Sequence, residues 1–196
     1  CLYLLEVRGE RGALIRTLTS TMMVSRLGEF FNVPVYETQV GFKYVAPLMM
    51  EKDAVIGGEE SGGYGFRGHV PERDAILAGL YFLDFMVKTG KKPSQLLDYL
   101  YSKVGPHYYD RNDFHISSAK RQTILKRLNS SSPDSIAGKK VAKLDTTEGF
   151  RFFLSDGSWL LIRFSGTEPL VRVYSEAESL ERVTELLDTG RKLIGL

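Results

Sequence analysis

Residues 57–74 read G-G-E-E-S-G-G-Y-G-F-R-G-H-V-P-E-R-D. The stretch is entered from the short apolar run Ala54-Val55-Ile56 and left through a helical pattern from Ala75 to Val87, so it joins a strand to a helix. Six of its residues are glycines, which let the backbone approach a ligand closely or take positive φ. Around them stand adjacent glutamates, a serine, two arginines and a histidine. In α/β proteins a loop between strand and helix lies at the carboxyl edge of the sheet, where ligands bind. A loop that only connects has no need of so many groups able to hold a polyol or an anion. The plain alternative is a solvated connection.

The flanking sequence has the period of an α/β unit. Leu2 to Val7 reads as the end of a helix, closed by Arg8-Gly9, and Ala13 to Leu18 as a short buried strand. Thr19-Ser20-Thr21 offers hydroxyls for a helix N-cap, ahead of a stripe of Met22, Met23, Leu27, Phe30 and Phe31. Pro34 to Glu37 reads as the second strand, Gly41 opens a helix carrying Phe42, Val45, Ala46 and Met49, and Ala54 to Ile56 is the third strand. Strands alternating with helices in this way predict a largely parallel sheet covered on both faces. Asp74 is a good N-cap for the next helix. Its apolar face, Ile76, Leu80, Leu83 and Val87 widened by Leu77, Tyr81 and Phe82, predicts burial on more than one side. Gly90 ends it, Pro93-Ser94 starts another helix through Leu96, Leu97, Leu100 and Tyr101, and Gly105-Pro106 is a stop signal that predicts a domain boundary.

The remainder is different. Tyr108 to Ile116 is strand-like, Ala119 to Leu128 helical, and Asn129 to Ser135 a serine-rich loop. Val141 to Leu144, Phe150 to Leu154, Trp159 to Phe164 and Leu170 to Tyr174 read as strands, with Asp156-Gly157 a strong hairpin signal. A last helix through Leu180, Val183, Leu187 and Ile194 covers them, and Gly190 is expected to weaken it by about 1 kcal/mol.

A net charge of +2, with basic residues scattered rather than blocked, gives no sign of nucleic acid as a partner. A single cysteine, Cys1, excludes an internal disulfide and a cysteine-rich metal site. No apolar run approaches the roughly 20 residues that span a bilayer, and no signal-peptide pattern opens the chain. The expectation is a cytoplasmic protein without a membrane partner. A start inside a helix, with no cap before it, reads as the later part of a longer protein.

Three segments carry a resemblance to a known family. G-E-E-S-G-G followed by H-x-x-x-R-D, at Gly58 to Asp74, resembles the sugar-specificity loop of the α-D-phosphohexomutases, the phosphoglucomutases and phosphomannomutases. Thr38 to Lys43 resembles their T-x-V-G-F-K segment, and Arg163-Phe164-Ser165-Gly166-Thr167-Glu168-Pro169 their phosphate-binding loop. Pattern and resemblance together imply an α/β chain. A three-layer α/β/α domain with a mixed, mostly parallel sheet spans residues 1–105. An α+β domain with an antiparallel four-stranded sheet and two helices spans residues 106–196.

The resemblance implies that Glu59 and Ser61 hold sugar hydroxyls, which a carboxylate and a hydroxyl can do by hydrogen bonding. Glu60 is expected to brace the loop. Arg73 and Asp74 match the family's basic-residue–Asp pair, with Ala75 where glycine is usual. Arg73 would stabilise phosphate or developing charge, or else fix the loop by a salt bridge. His69 matches a histidine of some relatives, as catalyst or as structural hydrogen bonder. Lys43 would stabilise a transferring phosphoryl group, or else be a solvated lysine at a helix start. In the phosphate loop Arg163 can grip phosphate with two parallel hydrogen bonds, Ser165 and Thr167 add hydroxyls, and Gly166 lets the amides turn inward. Arg172 closes the far side, with Glu168 orienting an arginine.

The family's phosphoserine motif and its D-x-D-x-D-R-like magnesium loop do not occur in these residues. The resemblance therefore covers the third and fourth domains, a C-terminal half expected to be inactive alone. It implies hexose phosphate as substrate, a hexose 1,6-bisphosphate intermediate, magnesium bound outside this chain, and the N-terminal half of the same protein as partner. Three other readings stay open: half of a phosphoglucosamine mutase, although that branch prefers G-E-Q-S; a non-catalytic sugar-phosphate binding module; and an interaction domain whose basic loops dock acidic partners.

Overall fold

The structure, a computed structural model, describes residues 1–130 and 133–196. The chain divides into two compact units, Cys1–Pro106 and His107–Leu196.

In the first unit a π-helical turn, Tyr3–Val7, precedes β1 (Leu14–Thr17), α1 (Met23–Phe31), β2 (Val35–Thr38), α2 (Phe42–Glu51), β3 (Ile56–Gly58), β4 (Tyr64–Phe66), α3 (Ala75–Thr89) and α4 (Pro93–Val104). The sheet order is β2-β1-β3-β4, parallel except for β4, which returns antiparallel beside β3. Side-chain alternation in β1 divides the two layers of core. Leu14 packs with the π-helical turn, Leu27 of α1, Phe85 of α3 and Leu96 of α4. Its neighbour Ile15 packs with Phe42, Val45 and Met49 of α2. The mixed, mostly parallel sheet between helical layers is the expected fold class.

Several local expectations are corrected. The third strand begins where it was expected to end, at Ile56, because the β1 register pairs Ile56 and Gly57 with Leu14 and Ile15. The long connecting loop is largely a hairpin, since Tyr64-Gly65-Phe66 pairs back onto Ile56-Gly57-Gly58. Asp74 caps α3 as expected, accepting from the Leu77 N–H at 2.8 Å. The outer face of that helix, however, is open: Ile76 is 78% exposed and Val87 71%, with Leu80 and Leu83 more than half exposed. Phe30 in α1 and Leu97 in α4, also expected inside, are exposed too.

The second unit contains β5 (Tyr108–His115), α5 (Ser118–Ser130), β6 (Ser135–Ile136), β7 (Lys139–Asp145), β8 (Phe150–Leu154), β9 (Trp159–Phe164), β10 (Leu170–Ala177) and α6 (Leu180–Ile194). Its sheet is antiparallel, in the order β5-β10-β9-β8-β7-β6. It therefore has six strands rather than four: β5 joins beside β10, and the two-residue β6 extends the far edge. The serine-rich loop expected over Asn129–Ser135 is shorter, with its first two residues ending α5 and its last opening β6; Ser131 and Ser132 lie outside the described residues. The Asp156-Gly157 hairpin forms as expected, with Gly157 at φ +85° and Leu154 N–H bonded to Ser158 O.

Ile124 and Leu128 of α5 and Val183, Leu186, Leu187 and Ile194 of α6 pack on Leu160, Ile162, Val171 and Val173, one face of the sheet. Gly190 is part of that packing, because a Cβ there would stand 2.5 Å from Val173 and 3.0 Å from Leu160. The glycine expected only to weaken α6 instead lets it lie close on β9 and β10. Alternation places Trp159, Leu161 and Arg163 of β9 and Arg172, Tyr174 and Glu176 of β10 on the opposite face.

Candidate functional site

In the first unit the specificity-type loop is the tip of the β3–β4 hairpin. Gly58 pairs with Tyr64, and Glu59 N–H bonds Gly63 O at 3.0 Å. The Gly62 N–H returns to Glu59 O at 3.1 Å, so Glu60 and Ser61 occupy the corner of a turn. Gly62, at φ +92°, supplies the left-handed residue the tip requires.

Glu59 is 7% exposed. Burial pushes its carboxyl above the usual range, against the pull of Arg73 and of a hydrogen bond from the Gly41 N–H. Arg73 Nη1 stands 3.8 Å from Glu59 Oε2, and its guanidinium lies 5.6 Å from the Phe42 ring centroid. Gly63 lets that arginine pass, since a Cβ there would stand 2.5 Å from its Cδ. The G-F of the T-x-V-G-F-K segment thus joins Glu59 and Arg73 in one cluster, contacts that single residues read in isolation do not reveal. Ser61 is exposed at the corner of the tip.

Other candidates are placed differently. His69 Nε2 is 2.8 Å from Asp74 Oδ2, while the other oxygen of Asp74 caps α3. The Leu77 N–H and the histidine hold the Asp74 carboxyl below its ordinary range. This is the geometry of the structural alternative for His69. Lys43 is exposed in the first turn of α2, its Nζ 4.9 Å from the Tyr44 ring centroid. Arg67, the loop's other arginine, is spent on Arg11 O at 3.0 Å, Asp53 and Glu10. The hydroxyls expected to cap α1 mostly turn elsewhere. Thr21 Oγ1 accepts from Met23 N–H, at 3.1 Å, while Thr19 Oγ1 donates to Glu60 Oε2 at 2.5 Å. Glu60 braces the loop, as expected.

In the second unit the phosphate-type loop joins β9 to β10. Arg163 and Arg172 are directly opposite in the ladder, and the same row continues to Asp113 of β5. Like charges so placed repel, and each is met by carboxylates. Arg163 donates through Nε at 2.9 Å and Nη2 at 2.6 Å to Glu148 Oε1. Arg172 Nη2 donates to Glu168 Oε2 at 2.7 Å, and its Nε lies 3.3 Å from Asp113. Glu168 orients an arginine, as expected.

Ser165 is 3% exposed, and its Oγ accepts from the amides of Thr167 at 3.4 Å and Glu168 at 3.2 Å. The serine thus takes two amides of the loop itself. Gly166 has no left-handed φ, and a Cβ there would meet nothing within 4 Å. Neither backbone conformation nor packing requires glycine at that position. Thr167 is exposed. Arg121 of α5 was not anticipated: its Nη1 reaches Ser165 O at 3.5 Å, and its guanidinium lies 4.9 Å from the Phe164 ring centroid. Among the described residues no group of three or more His, Cys, Asp or Glu side chains could hold a metal ion.

The fold is an α/β/α unit followed by an antiparallel α+β unit, and comparison with known proteins gives the family. Residues 1–104 match the phosphoglucomutase/phosphomannomutase α/β/α domain III, and residues 124–192 match the C-terminal domain of the same family. The chain belongs to the phosphoglucomutase/phosphomannomutase family. Over 184 residues it is 34% identical to a phosphoglucomutase/phosphomannomutase of Thermococcus kodakarensis, covering 93% of this chain and 38% of that protein. It is 31% identical to a phosphoglucosamine mutase of Methanocaldococcus jannaschii, covering 98% of this chain and 41% of that protein. The crystal structure of a proposed phosphomannomutase from Thermus thermophilus superposes with a TM-score of 0.79 at 34% identity, covering 98% of this chain and 39% of that one. The chain thus spans about two-fifths of the length of these relatives.

Proposed function

We propose that this chain is the substrate-binding C-terminal part of a phosphohexomutase, an intramolecular phosphotransferase that interconverts hexose 1-phosphate and hexose 6-phosphate through a bisphosphate intermediate. The observation that carries the reading is the opposed pair Arg163 and Arg172 beside the Ser165–Pro169 loop. Two guanidiniums on one face of a sheet, each neutralised by carboxylates, suit a dianion that takes the place of those carboxylates. Gly166, with open space where a side chain would stand, leaves room for it.

The tip of the first unit carries a second set of candidate groups. Glu59 is buried at a raised pKa beside Arg73, and Ser61 is exposed one turn position beyond Glu60. These two residues read hydroxyls of the hexose, while Arg73 and Lys43 supply positive charge toward phosphoryl oxygens. His69 serves through Asp74, as a holder of the loop. A mutase must release and turn its bisphosphate between two half-reactions. Groups that grip whichever phosphate is not reacting and recognise hydroxyls by position meet that need, and positioning of this kind can lower a barrier by about 7 kcal/mol or more. Phosphoryl donation and magnesium come from residues outside this chain, so the chain alone is expected to turn over nothing.

The partner is the remainder of the same polypeptide. Relatives are about two and a half times as long, and the apolar outer face of α3 is uncovered. Phosphoglucosamine as substrate is favoured by the names of several relatives of near-equal identity, against the G-E-E-S of this loop.

The test is a calorimetric titration with glucose 1-phosphate, glucosamine 1-phosphate and glucose 1,6-bisphosphate, on the chain and on its Arg163→Ala variant. Saturable binding that weakens in the variant supports the reading, and the tighter sugar identifies the substrate. Mutase turnover by the unaccompanied chain would refute its assignment as a binding part only.

A further inference from the structure

The carboxyl end of β1 holds a polar network that the proposed reading leaves unused. Thr17 and Thr19 are fully buried and Ser20 nearly so. Thr17 Oγ1 lies 3.2 Å from Thr19 Oγ1 and 2.9 Å from Ser20 Oγ. Behind them is Arg16, 5% exposed, whose Nη1 donates to Ser20 O at 2.9 Å. Its Nη2 is 2.5 Å from Glu37, the residue beside it in the β1–β2 ladder. The network is carried by β1, which lies between β2 and β3 in the sheet. Its outward acceptor is Glu60 Oε2, 2.5 Å from Thr19 Oγ1 and 3.4 Å from Thr17 Oγ1.

Glu60 stands between the two residues assigned to the sugar. Two backbone bonds, Glu59 N–H to Gly63 O and Gly62 N–H to Glu59 O, close the tip, and the Gly41 N–H and Arg73 hold the Glu59 carboxylate, but none of these reaches the corner at Glu60 and Ser61. A five-residue tip on a hairpin of three pairs is a weak frame for hydroxyl recognition. A charge-assisted bond from a buried hydroxyl to the corner of that turn fixes where the neighbouring side chains point.

We propose that Thr19 is a positioning residue: with Thr17 and Ser20 behind it, its hydroxyl anchors Glu60 and thereby sets the orientation of Glu59 and Ser61. The inference rests on the reading of those two residues as the hydroxyl contacts. A glutamine at position 60 would keep an oxygen acceptor for Thr19 but not the charge assistance, so the G-E-Q-S form of the loop would carry a weaker form of the same anchor.

The experiment compares Thr19→Val, Thr19→Ser, Glu60→Leu and Glu60→Gln by amide hydrogen exchange and by titration with glucose 1-phosphate and with inorganic phosphate. Thr19→Val is expected to speed exchange at the Glu59 and Gly62 amides about tenfold, as loss of one charge-assisted bond implies. Exchange in β1 and β2 should stay as in the unaltered chain. Glu60→Leu, which removes the acceptor without touching the core, should loosen the same two amides, whereas Thr19→Ser keeps them protected and Glu60→Gln, which keeps an acceptor but not the charge, falls between. Thr19→Val should also weaken glucose 1-phosphate but not inorganic phosphate. Unchanged exchange at the tip in both Thr19→Val and Glu60→Leu would overturn the proposal. So would loosening of β1 together with the tip, or failure of Thr19→Ser to restore protection. If the unaltered chain does not bind glucose 1-phosphate, the hexose reading fails and the exchange comparison still decides the anchor.

Discussion

Arg163 and Arg172 face each other across the β9–β10 ladder, and neither guanidinium is left to the other's repulsion: Glu148 takes the first, Glu168 and Asp113 the second. On the proposed reading, these carboxylates stand where the oxygens of a bound phosphate would. Replacing one such carboxylate should therefore move stability and anion affinity in opposite directions.

Glu148→Gln leaves Arg163, 12% exposed at its side chain, without its charge partner. The expected cost is about 1–3 kcal/mol of stability for a largely buried charge-assisted pair, with tighter binding of phosphate and hexose phosphate. Arg163→Ala should weaken phosphate binding by about tenfold or more, in line with the loss of a charge-assisted contact of roughly 1.5–3 kcal/mol. Calorimetric titration of both variants, with thermal unfolding beside it, checks the pair. Equal affinity in all three proteins would remove Arg163 from the site.

Glu59 gives a pH-dependent prediction. Its carboxyl is raised above the usual range by burial, so the folded state holds the proton more tightly than the unfolded one. Stability from this group is therefore greater at low pH and falls as pH rises through its folded pKa. Glu59→Gln keeps the shape and removes that liability. The first unit should gain a few degrees in Tm at pH 7, where about 1 kcal/mol is worth roughly 4–8 °C for a domain of this size. The gain should vanish below pH 4, and hexose phosphate binding should weaken. A Tm that falls at pH 7 would show that the Gly41 and Arg73 contacts outweigh burial.

Gly190→Ala sets helix propensity against packing. Alanine gains about 1 kcal/mol in a helix interior. The new methyl, however, would stand 2.5 Å from Val173 in a fully buried part of the sheet, and overpacking costs about 1–3 kcal/mol. The expected result in chemical denaturation is net destabilisation of about 1 kcal/mol.

What the sequence showed and what it hid have a common cause. The apolar periods marked β1, β2, α2, α5 and α6 because each follows from residues close together in the chain. Asp74 as a cap and Asp156-Gly157 as a turn were equally local. The hairpin partner Tyr64-Gly65-Phe66 was hidden because three residues, one of them glycine, carry no strand period of their own. The carboxylates that meet Arg163 and Arg172 were hidden because Glu148 and Asp113 reach them only through strand register. Thr19 was taken for a helix cap because a hydroxyl before a helix usually is one. Its actual acceptor, Glu60, is brought to it by the parallel pairing of β1 with β3.

The face of α3 is the remaining mismatch, and it supports a prediction of its own. Its apolar width was read as burial on more than one side, yet Ile76, Leu80, Leu83 and Val87 form an exposed stripe along one face. If the rest of the polypeptide covers that stripe, Leu80→Lys with Leu83→Lys should act differently in the two contexts. Lysine and leucine have similar helix propensity, so in this chain alone stability should stay within about 0.5 kcal/mol of the unaltered value, as for ordinary surface changes. In the full-length protein the same pair should cost several kcal/mol, because each leucine loses roughly 1.5–3 kcal/mol of burial. It should also open the domain to limited proteolysis. Sedimentation of the unaltered chain separates the competing occupant: a dimer that the double variant dissociates would assign the face to a second copy. A full-length protein as stable with the lysines as without them would leave the stripe uncovered in both.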